Sequence, residues 1–241
     1  MIINDKFVFI HNPRTGGAFI KNLCKRSFSD SKFADLQDYH LPIASLEEQY
    51  RDRLKFGMIR NPWAWYVSLY HFQQPRGQWL RLCSPNNNFK EFVTTLLSSE
   101  FAKKNKQTKF FPVGNPSAPK TVPVFQYMHD LSVGFFSYRY IYMFFDLYKD
   151  IFGGQEDIFA NHDNLLSLDC VLKTEELPNN VINLFDKNYI IVPTEEKKRW
   201  KKEPKRNYTK HKPYQHYYDE ELIELVEFKD RLIIEKYNYE F

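Results

Sequence analysis

The sequence has 241 residues, of which 43% are hydrophobic and 27% charged, and this composition excludes a disordered chain and fits a globular one with a buried core. The formal net charge of +4 is too small to require nucleic-acid binding, although it is compatible with an anionic ligand. Cys24, Cys83 and Cys170 have no CxxC spacing, which predicts free thiols in a reducing compartment and no zinc site. No apolar window approaches the ~18 residues of a membrane span, and no targeting segment precedes the first strand, so we expect a cytoplasmic protein without a membrane partner.

The first elements that the sequence predicts are a strand, a tight loop and a helix. Residues 6–10 form a short apolar run rich in β-formers, and the chain becomes amphipathic behind the pair Gly16-Gly17. A loop of this kind places backbone N–H groups at a helix N-terminus, beside the basic side chain of Arg14 and the hydroxyl of Thr15. Taken alone, the loop is either an anion site or an ordinary glycine turn.

A second strand, a basic residue and a helix follow at residues 55–71. Asn61-Pro62 is a strong helix start, because Asn caps the helix and Pro fits its first position. The helix carries Ser68 on its second turn and His71 near its end. Two parallel strands whose carboxyl ends carry Arg14 and Arg60 would direct both cations at one crevice.

The rest of the chain is predicted to be mainly helical. Residues 74–88 indicate a loop, and residues 106–123, with four prolines, an irregular segment. Helical periodicity predicts helices at residues 89–104, 129–148 and 219–236, and one that starts near Pro178. Residues 169–173 are the third predicted strand. Residues 197–212 hold nine Lys or Arg against one Glu, which indicates either a solvated basic face or a clamp over a polyanion.

Three segments together resemble the PAPS-dependent sulfotransferases, in particular the carbohydrate-sulfotransferase branch and its bacterial relatives. Residues 9–17 (FIHNPRTGG) resemble the loop of that family that binds the 5′ phosphosulfate. Residues 58–63 (MIRNPW) with Ser68 are similar to its 3′-phosphate segment, and residues 206–209 with the end of the chain are similar to its closing loop and last helix. Residues 74–165 match only vaguely.

The resemblance implies a fold, a reaction and a set of residues. The expected fold is α/β, a three-layer P-loop-like fold whose central, mainly parallel sheet is flanked by helices, in a single domain of residues 1–241. The expected activity is transfer of the sulfuryl group of PAPS to a hydroxyl, or in second place an amine, of a small-molecule or glycan acceptor, with release of PAP. The residues implied for cofactor binding are Pro13, Arg14, Thr15, Gly16, Gly17, Ala18, Phe19, Arg60, Ser68 and Arg206.

Two residues are the candidates for catalysis. Arg14 stands where the family commonly has Lys, and we assign it stabilisation of the charge that develops on the leaving phosphate rather than proton donation. His40 is the first candidate for the base, with Asp38 as a possible orienting partner, while His71, His129 and Glu176 remain open.

Two other functions compete with the sulfotransferase hypothesis. A nucleotide kinase of the P-loop type is one, although the Gly-Lys-Ser/Thr sequence and an obvious magnesium carboxylate are missing. A non-catalytic binder of nucleic acid or acidic polymer, acting through residues 197–212, is the other. The acceptor and the oligomeric state do not follow from the sequence.

Overall fold

The structure is a computed structural model that describes residues 1–28, 32–33, 40–74, 78–104, 132–146, 155–203 and 211–241. At its centre lies a five-stranded sheet of order β3-β1-β2-β4-β5. The strands are β1 (Ile2–Ile3), β2 (Phe7–Ile10), β3 (Lys32–Phe33), β4 (Leu54–Ile59) and β5 (Cys170–Lys173). The three longer strands β2, β4 and β5 run parallel, whereas the two-residue strands β1 and β3 pair antiparallel on the β2 side.

Helices cover both faces of the sheet. In the described residues they are α1 (Gly17–Ser27), α2 (Pro62–Gln73), α3 (Gln78–Cys83), α4 (Phe89–Leu97), α5 (Ser99–Lys104), α6 (Phe135–Phe144), α7 (Gln155–Leu165), α8 (Asn179–Lys187), α9 (Thr194–Lys202), α10 (Glu220–Lys229) and α11 (Arg231–Lys236). None of them, within the described part of the chain, is long and apolar enough to cross a membrane.

Strand β2 shows why the sheet is buried on both faces. Its four residues are all buried, and Phe7 and Phe9 belong to a core that also contains residues of α1, α8 and α9. Val8 and Ile10, which alternate with them, belong to the core formed with α2, α4 and α6. The continuous apolar run therefore predicts a central strand covered on each side. The α/β class and the mainly parallel arrangement of the long strands are confirmed.

The predicted helix start at Asn61-Pro62 is also confirmed. Asn61 caps α2, because its Oδ1 accepts a hydrogen bond from the backbone N of Ala64 at 3.1 Å, and Pro62 occupies the first helical position. Every residue from 62 to 70 is buried, so α2 is a core helix rather than a surface one. Its position beside β2 and β4 brings its side chains to the carboxyl edge of the sheet.

Several predicted boundaries are wrong. Residues 74–88 are not all loop, because residues 78–83 form α3. The helix predicted over residues 89–104 is interrupted at Ser98, whose Oγ accepts from the backbone N of Phe101 at 3.1 Å and so starts a new helix. The helix predicted from residue 129 begins at Phe135 and ends at Phe144 in the described residues.

The last predicted helix, residues 219–236, is broken at Asp230. This residue is fully buried, and its carboxylate accepts hydrogen bonds from Tyr66 Oη at 2.6 Å and from the backbone N of Ser137 at 2.7 Å. Burial raises the pKa of Asp230 to about 6. The break therefore comes from a tertiary contact that joins α2, α6 and the last two helices.

Candidate functional site

The loop between β2 and α1 has the backbone of an anion-binding concavity. Arg14 and Gly16 have left-handed φ angles of 66° and 87°, and Thr15 between them does not. Alternation of this kind turns successive backbone N–H groups toward one side, which is the geometry of a nest for anions. Thr15 is fully buried and its Oγ1 donates to the carbonyl of Asn12 at 2.6 Å, so its hydroxyl holds the loop together.

The glycine pair is required by sterics as well as by conformation. A Cβ on Gly17 would lie 1.8 Å from the His11 ring, and a Cβ on Gly16 would lie 2.8 Å from Leu177 Cδ1. Because Gly16 also has a left-handed φ, an L side chain there would be strained. Helix α1 thus starts in direct contact with the His11 ring, which fixes that ring against the loop.

His11 and His40 form a pair beside the loop. Their ring centroids are 4.4 Å apart, and His40 Nδ1 lies 3.1 Å from the backbone oxygen of His11. Since a carbonyl only accepts, Nδ1 carries the proton and Nε2 is the acceptor nitrogen of the ring. Asp38, the expected orienting partner, lies outside the described residues, and the His11 carbonyl takes that role here.

Both imidazoles of this pair are neutral at pH 7. Burial lowers the pKa of His11 well below its ordinary value, and the neighbouring His40 adds to the effect. Burial also lowers the pKa of His40 to about 4, with the hydrogen bond to His11 acting in the opposite direction. Residue 40 is nevertheless exposed to solvent, which screens this effect far more than at the buried His11.

Helix α2 holds the loop from the other face of β2. Arg14 Nη2 donates to Ser68 Oγ at 2.8 Å, and Arg14 Cζ lies 4.4 Å from the centre of the Phe72 ring. Trp65 Nε1 donates to the carbonyl of Pro13 at 3.2 Å. Residues 65, 68 and 72 follow helical spacing, so one face of α2 contacts the loop three times. Ser68 is 2% exposed, and its Oγ is the acceptor for the Arg14 guanidinium.

The carboxyl ends of β4 and β5 complete the edge. Thr174, just after β5, lies within hydrogen-bond distance of the Thr15 and Ile59 carbonyls, at 2.9 and 2.7 Å, and so ties the loop to β4. Arg60 is half-buried directly after β4. The next residue, Asn61, donates its backbone N–H to Glu175 Oε1 at 2.8 Å. The loop and Arg60 therefore both follow the carboxyl ends of neighbouring parallel strands, at the edge of the sheet where parallel α/β folds bind ligands.

The sequence also pointed to residues whose positions do not favour a catalytic role. His71 is engaged at both nitrogens, with Gln74 Oε1 at 3.0 Å and Tyr217 Oη at 2.8 Å, and its ring stacks on His211. Glu176 is exposed in a 3-10 turn after β5. His129 and Arg206 lie outside the described residues, so these two predictions stay as they are.

Sequence reasoning missed four contributors to this edge, namely His11, Trp65, Phe72 and Thr174. Phe72 follows Ser68 by four residues on a helix, and that spacing could have identified it. Thr174 directly follows the third predicted strand, and the rule that ligands bind at carboxyl ends of parallel strands could have identified it as well.

In the described part of the basic segment, three of the six Lys or Arg side chains form ion pairs with carboxylates. Lys197, Lys198 and Arg199 of α9 form ion pairs with Asp186, Glu195 and Glu196, respectively. Residues 204–210 of the segment are outside the described part. Among the residues that the structure shows, the basic face is thus partly neutralised, which weakens the case for a polyanion clamp.

Comparisons of the chain with protein-family models, with curated proteins and with solved structures each returned no match.

Proposed function

We propose that this protein is a sulfotransferase that moves the sulfuryl group of PAPS to a hydroxyl of a small-molecule or glycan acceptor. The observation that carries the proposal is the 2.8 Å hydrogen bond from Arg14 to Ser68. These two residues lie 54 positions apart, in the two segments that resemble the 5′- and 3′-phosphate segments of the family. Their contact in one site supports reading both segments as parts of a single nucleotide site in a P-loop-like fold of residues 1–241.

Each group at the edge of the sheet has a role in this proposal. The backbone N–H groups of residues 14–18 bind the 5′ phosphosulfate, together with the start of α1, whose first turn contains no acidic residue. Arg60 and Ser68 bind the 3′ phosphate. Arg206, outside the described residues, is retained as the contact of a closing loop. The alternation of backbone angles at Arg14 and Gly16 supports the first assignment.

The reaction needs positioning and charge stabilisation more than covalent help. The acceptor oxygen forms a bond to sulfur while the bond from sulfur to the bridging oxygen breaks, and the electron pair remains on the phosphate of PAP. Arg14 stabilises the charge on that oxygen, as a permanent cation that cannot give up a proton.

His40 takes the proton of the acceptor hydroxyl. Its Nδ1–H is directed at the His11 carbonyl, so Nε2 has the lone pair that a base requires. A pKa of about 4 keeps the ring neutral at pH 7. Phosphate charges next to the ring favour the imidazolium and raise its pKa toward neutrality, which improves the base when the nucleotide is bound.

Thermal unfolding with different nucleotides separates this proposal from its two competitors. PAP is expected to raise the melting temperature, because a ligand at a hundred times its Kd adds about 2.7 kcal/mol to the free energy of unfolding. ATP with magnesium is expected to have a much smaller effect. A chain that responds to ATP with magnesium and not to PAP would be a kinase-like protein, and the proposal would be wrong.

Heparin is the probe for the polymer-binding alternative. Arg60→Ala should abolish most of the response to PAP, whereas Arg199→Ala, at an exposed arginine of α9, is the matched control and should leave it intact. Heparin binding that survives Arg60→Ala, in a protein that ignores PAP, would support the polymer binder instead.

A further inference from the structure

The Arg14 guanidinium lies on a platform formed by two residues of α2. Its Cζ is 4.4 Å from the centre of the Phe72 ring, and its Nη2 is 2.8 Å from Ser68 Oγ and 3.4 Å from the Ser68 backbone oxygen. Ser68 and Phe72 are one helical turn apart and therefore lie on the same face of α2. The central carbon of the guanidinium thus lies over an aromatic ring, while one of its nitrogens binds a hydroxyl.

The platform itself is held in place by other contacts. The neighbour of Phe72, His71, lies 2.8 Å from Tyr217 Oη, and the backbone N of Gln74 donates to the Tyr70 carbonyl at 3.1 Å. These contacts fix the last turn of α2. On the loop side, Trp65 binds the Pro13 carbonyl, so the backbone next to Arg14 is fixed as well. Ring and cation are therefore brought together by a scaffold and not by the side chains alone.

A lysine could not make the same pair of contacts. The guanidinium is planar, stacks on aromatic faces and has five N–H donors in a fixed fork, so it can contact the ring, bind Ser68 and bind an anion at the same time. An ammonium is a compact, strongly hydrated point charge on a flexible stem. Cation–π attraction to Phe is therefore better suited to Arg at this position.

We propose that Phe72 is a positioning residue that holds the Arg14 guanidinium in the anion site, and that this support makes position 14 specific for Arg. The inference rests on the proposed function, because it assigns the anion to the nucleotide donor. It also accounts for the difference between this chain and the lysine that is common in the family it resembles. Removing the ring should misplace the cation without removing its charge.

Calorimetric titration with PAP tests the inference in a cycle of four proteins: wild type, Phe72→Leu, Arg14→Lys and the double variant. Leucine keeps the apolar side chain and removes the aromatic ring. We expect Phe72→Leu to weaken PAP binding about three- to tenfold. In the Arg14→Lys background the same change should have almost no effect. Phe72→Tyr is the matched control, since it retains the ring and should retain the affinity.

Two results would overturn the inference while leaving the proposed function intact. One is a Phe72→Leu protein that binds PAP as tightly as wild type. The other is an equal loss of affinity when Phe72→Leu is made in the wild-type and in the Arg14→Lys background, because a general packing defect would act on both. A wild-type protein that does not bind PAP would instead refute the proposed function.

The contact between Arg14 and Phe72 is also tested in the ligand-free protein. Denaturation midpoints of the same four ligand-free proteins form a second cycle. Non-additive shifts support the positioning of Arg14 by Phe72, and additive shifts overturn it.

Discussion

Because Gly17 lies against the His11 ring, we expect Gly17→Ala to destabilise the wild-type protein but not a variant that lacks the ring. Replacing Gly by Ala near a helix start would ordinarily stabilise the protein by about 0.5–1 kcal/mol, because Gly loses more backbone entropy on folding. Here the new Cβ would lie 1.8 Å from the His11 ring, whereas real Cβ atoms essentially never approach closer than 3.0 Å. The ring would have to retreat by roughly 1.2 Å.

The ring of His11 has little room for that movement. The rings of Phe9 and His40 lie 5.8 and 4.4 Å away, centroid to centroid, and His11 is only 6% exposed. Overpacking of this kind costs about 1–3 kcal/mol, and we expect Gly17→Ala to lie in the upper half of that range. The expected loss lowers the melting temperature by several degrees for a chain of this size, at about 2–4 °C per kcal/mol.

The background variant His11→Ala provides the control. Without the imidazole, Gly17→Ala should become neutral or stabilising, so the two changes should couple strongly in a cycle of urea denaturation midpoints. Equal destabilisation by Gly17→Ala in both backgrounds would refute the reasoning, since the ring would then not be what excludes a side chain at position 17.

Three further predictions concern buried groups. Asp230→Ala removes the acceptor for Tyr66 and Ser137 and leaves two buried donors unpaired. Urea denaturation should therefore show a free energy of unfolding that is lower by about 2–4 kcal/mol. If the effects of Asp230→Ala and Tyr66→Phe were additive, the hydrogen bond between the two side chains would be contradicted. Burial lowers the pKa of His162 below 6.5, so the unfolded chain takes up the proton at a higher pH than the folded one. The free energy of unfolding should therefore fall as the pH drops below about 6.5. In His162→Gln this pH dependence should be flatter, and an unchanged slope would contradict the assignment. NMR of the imidazole nitrogens should show that the neutral His40 ring carries its proton on Nδ1 and has a pKa of about 4, and that PAP raises this pKa. An Nε2–H tautomer, or a pKa that PAP does not change, would contradict the assignment of His40 as the base.

The sequence predicted the parts of this fold that depend on local patterns. The four residues of β2 and the last four of β4 are all buried because both faces of the sheet are covered there, and such runs are visible without any tertiary knowledge. The start of α2 was predictable because Asn61 and Pro62 satisfy the N-terminus of the helix with their own atoms.

The parts that were missed depend on contacts between distant residues or on very short elements. The break at Asp230 is caused by partners 164 and 93 positions away, which no local window contains. Strands β1 and β3 have two residues each and no periodicity to detect. The break at Ser98 is different, because Ser is a favoured N-cap and its position could have been read as the start of a new helix.

The candidate site also contains residues that the sequence predicted and contacts that it did not. The loop glycines, Arg14, Arg60 and Ser68 were predicted because their spacing resembles a known family. The spacing on α2 could have identified Phe72 as a residue on the Ser68 face. The contacts of Arg14 with Ser68 and Phe72, and the orientation of His40 by the His11 carbonyl, could not be predicted, since each joins residues that are far apart in the chain or depends on a backbone atom.

Binding of two nucleotides to two proteins tests most directly whether one site binds both phosphates of one nucleotide. The Kd values of PAP and of 5′-AMP, which lacks the 3′ phosphate, are measured by calorimetry for wild type and for Arg60→Ala. We expect wild type to bind PAP about ten- to a hundredfold more tightly than 5′-AMP, and most of this preference to be lost in Arg60→Ala, because that variant keeps Ser68 but lacks the cation that pairs with the 3′ phosphate. A preference for PAP that persists unchanged in Arg60→Ala, or equal affinity of wild type for both nucleotides, would contradict the two-phosphate site.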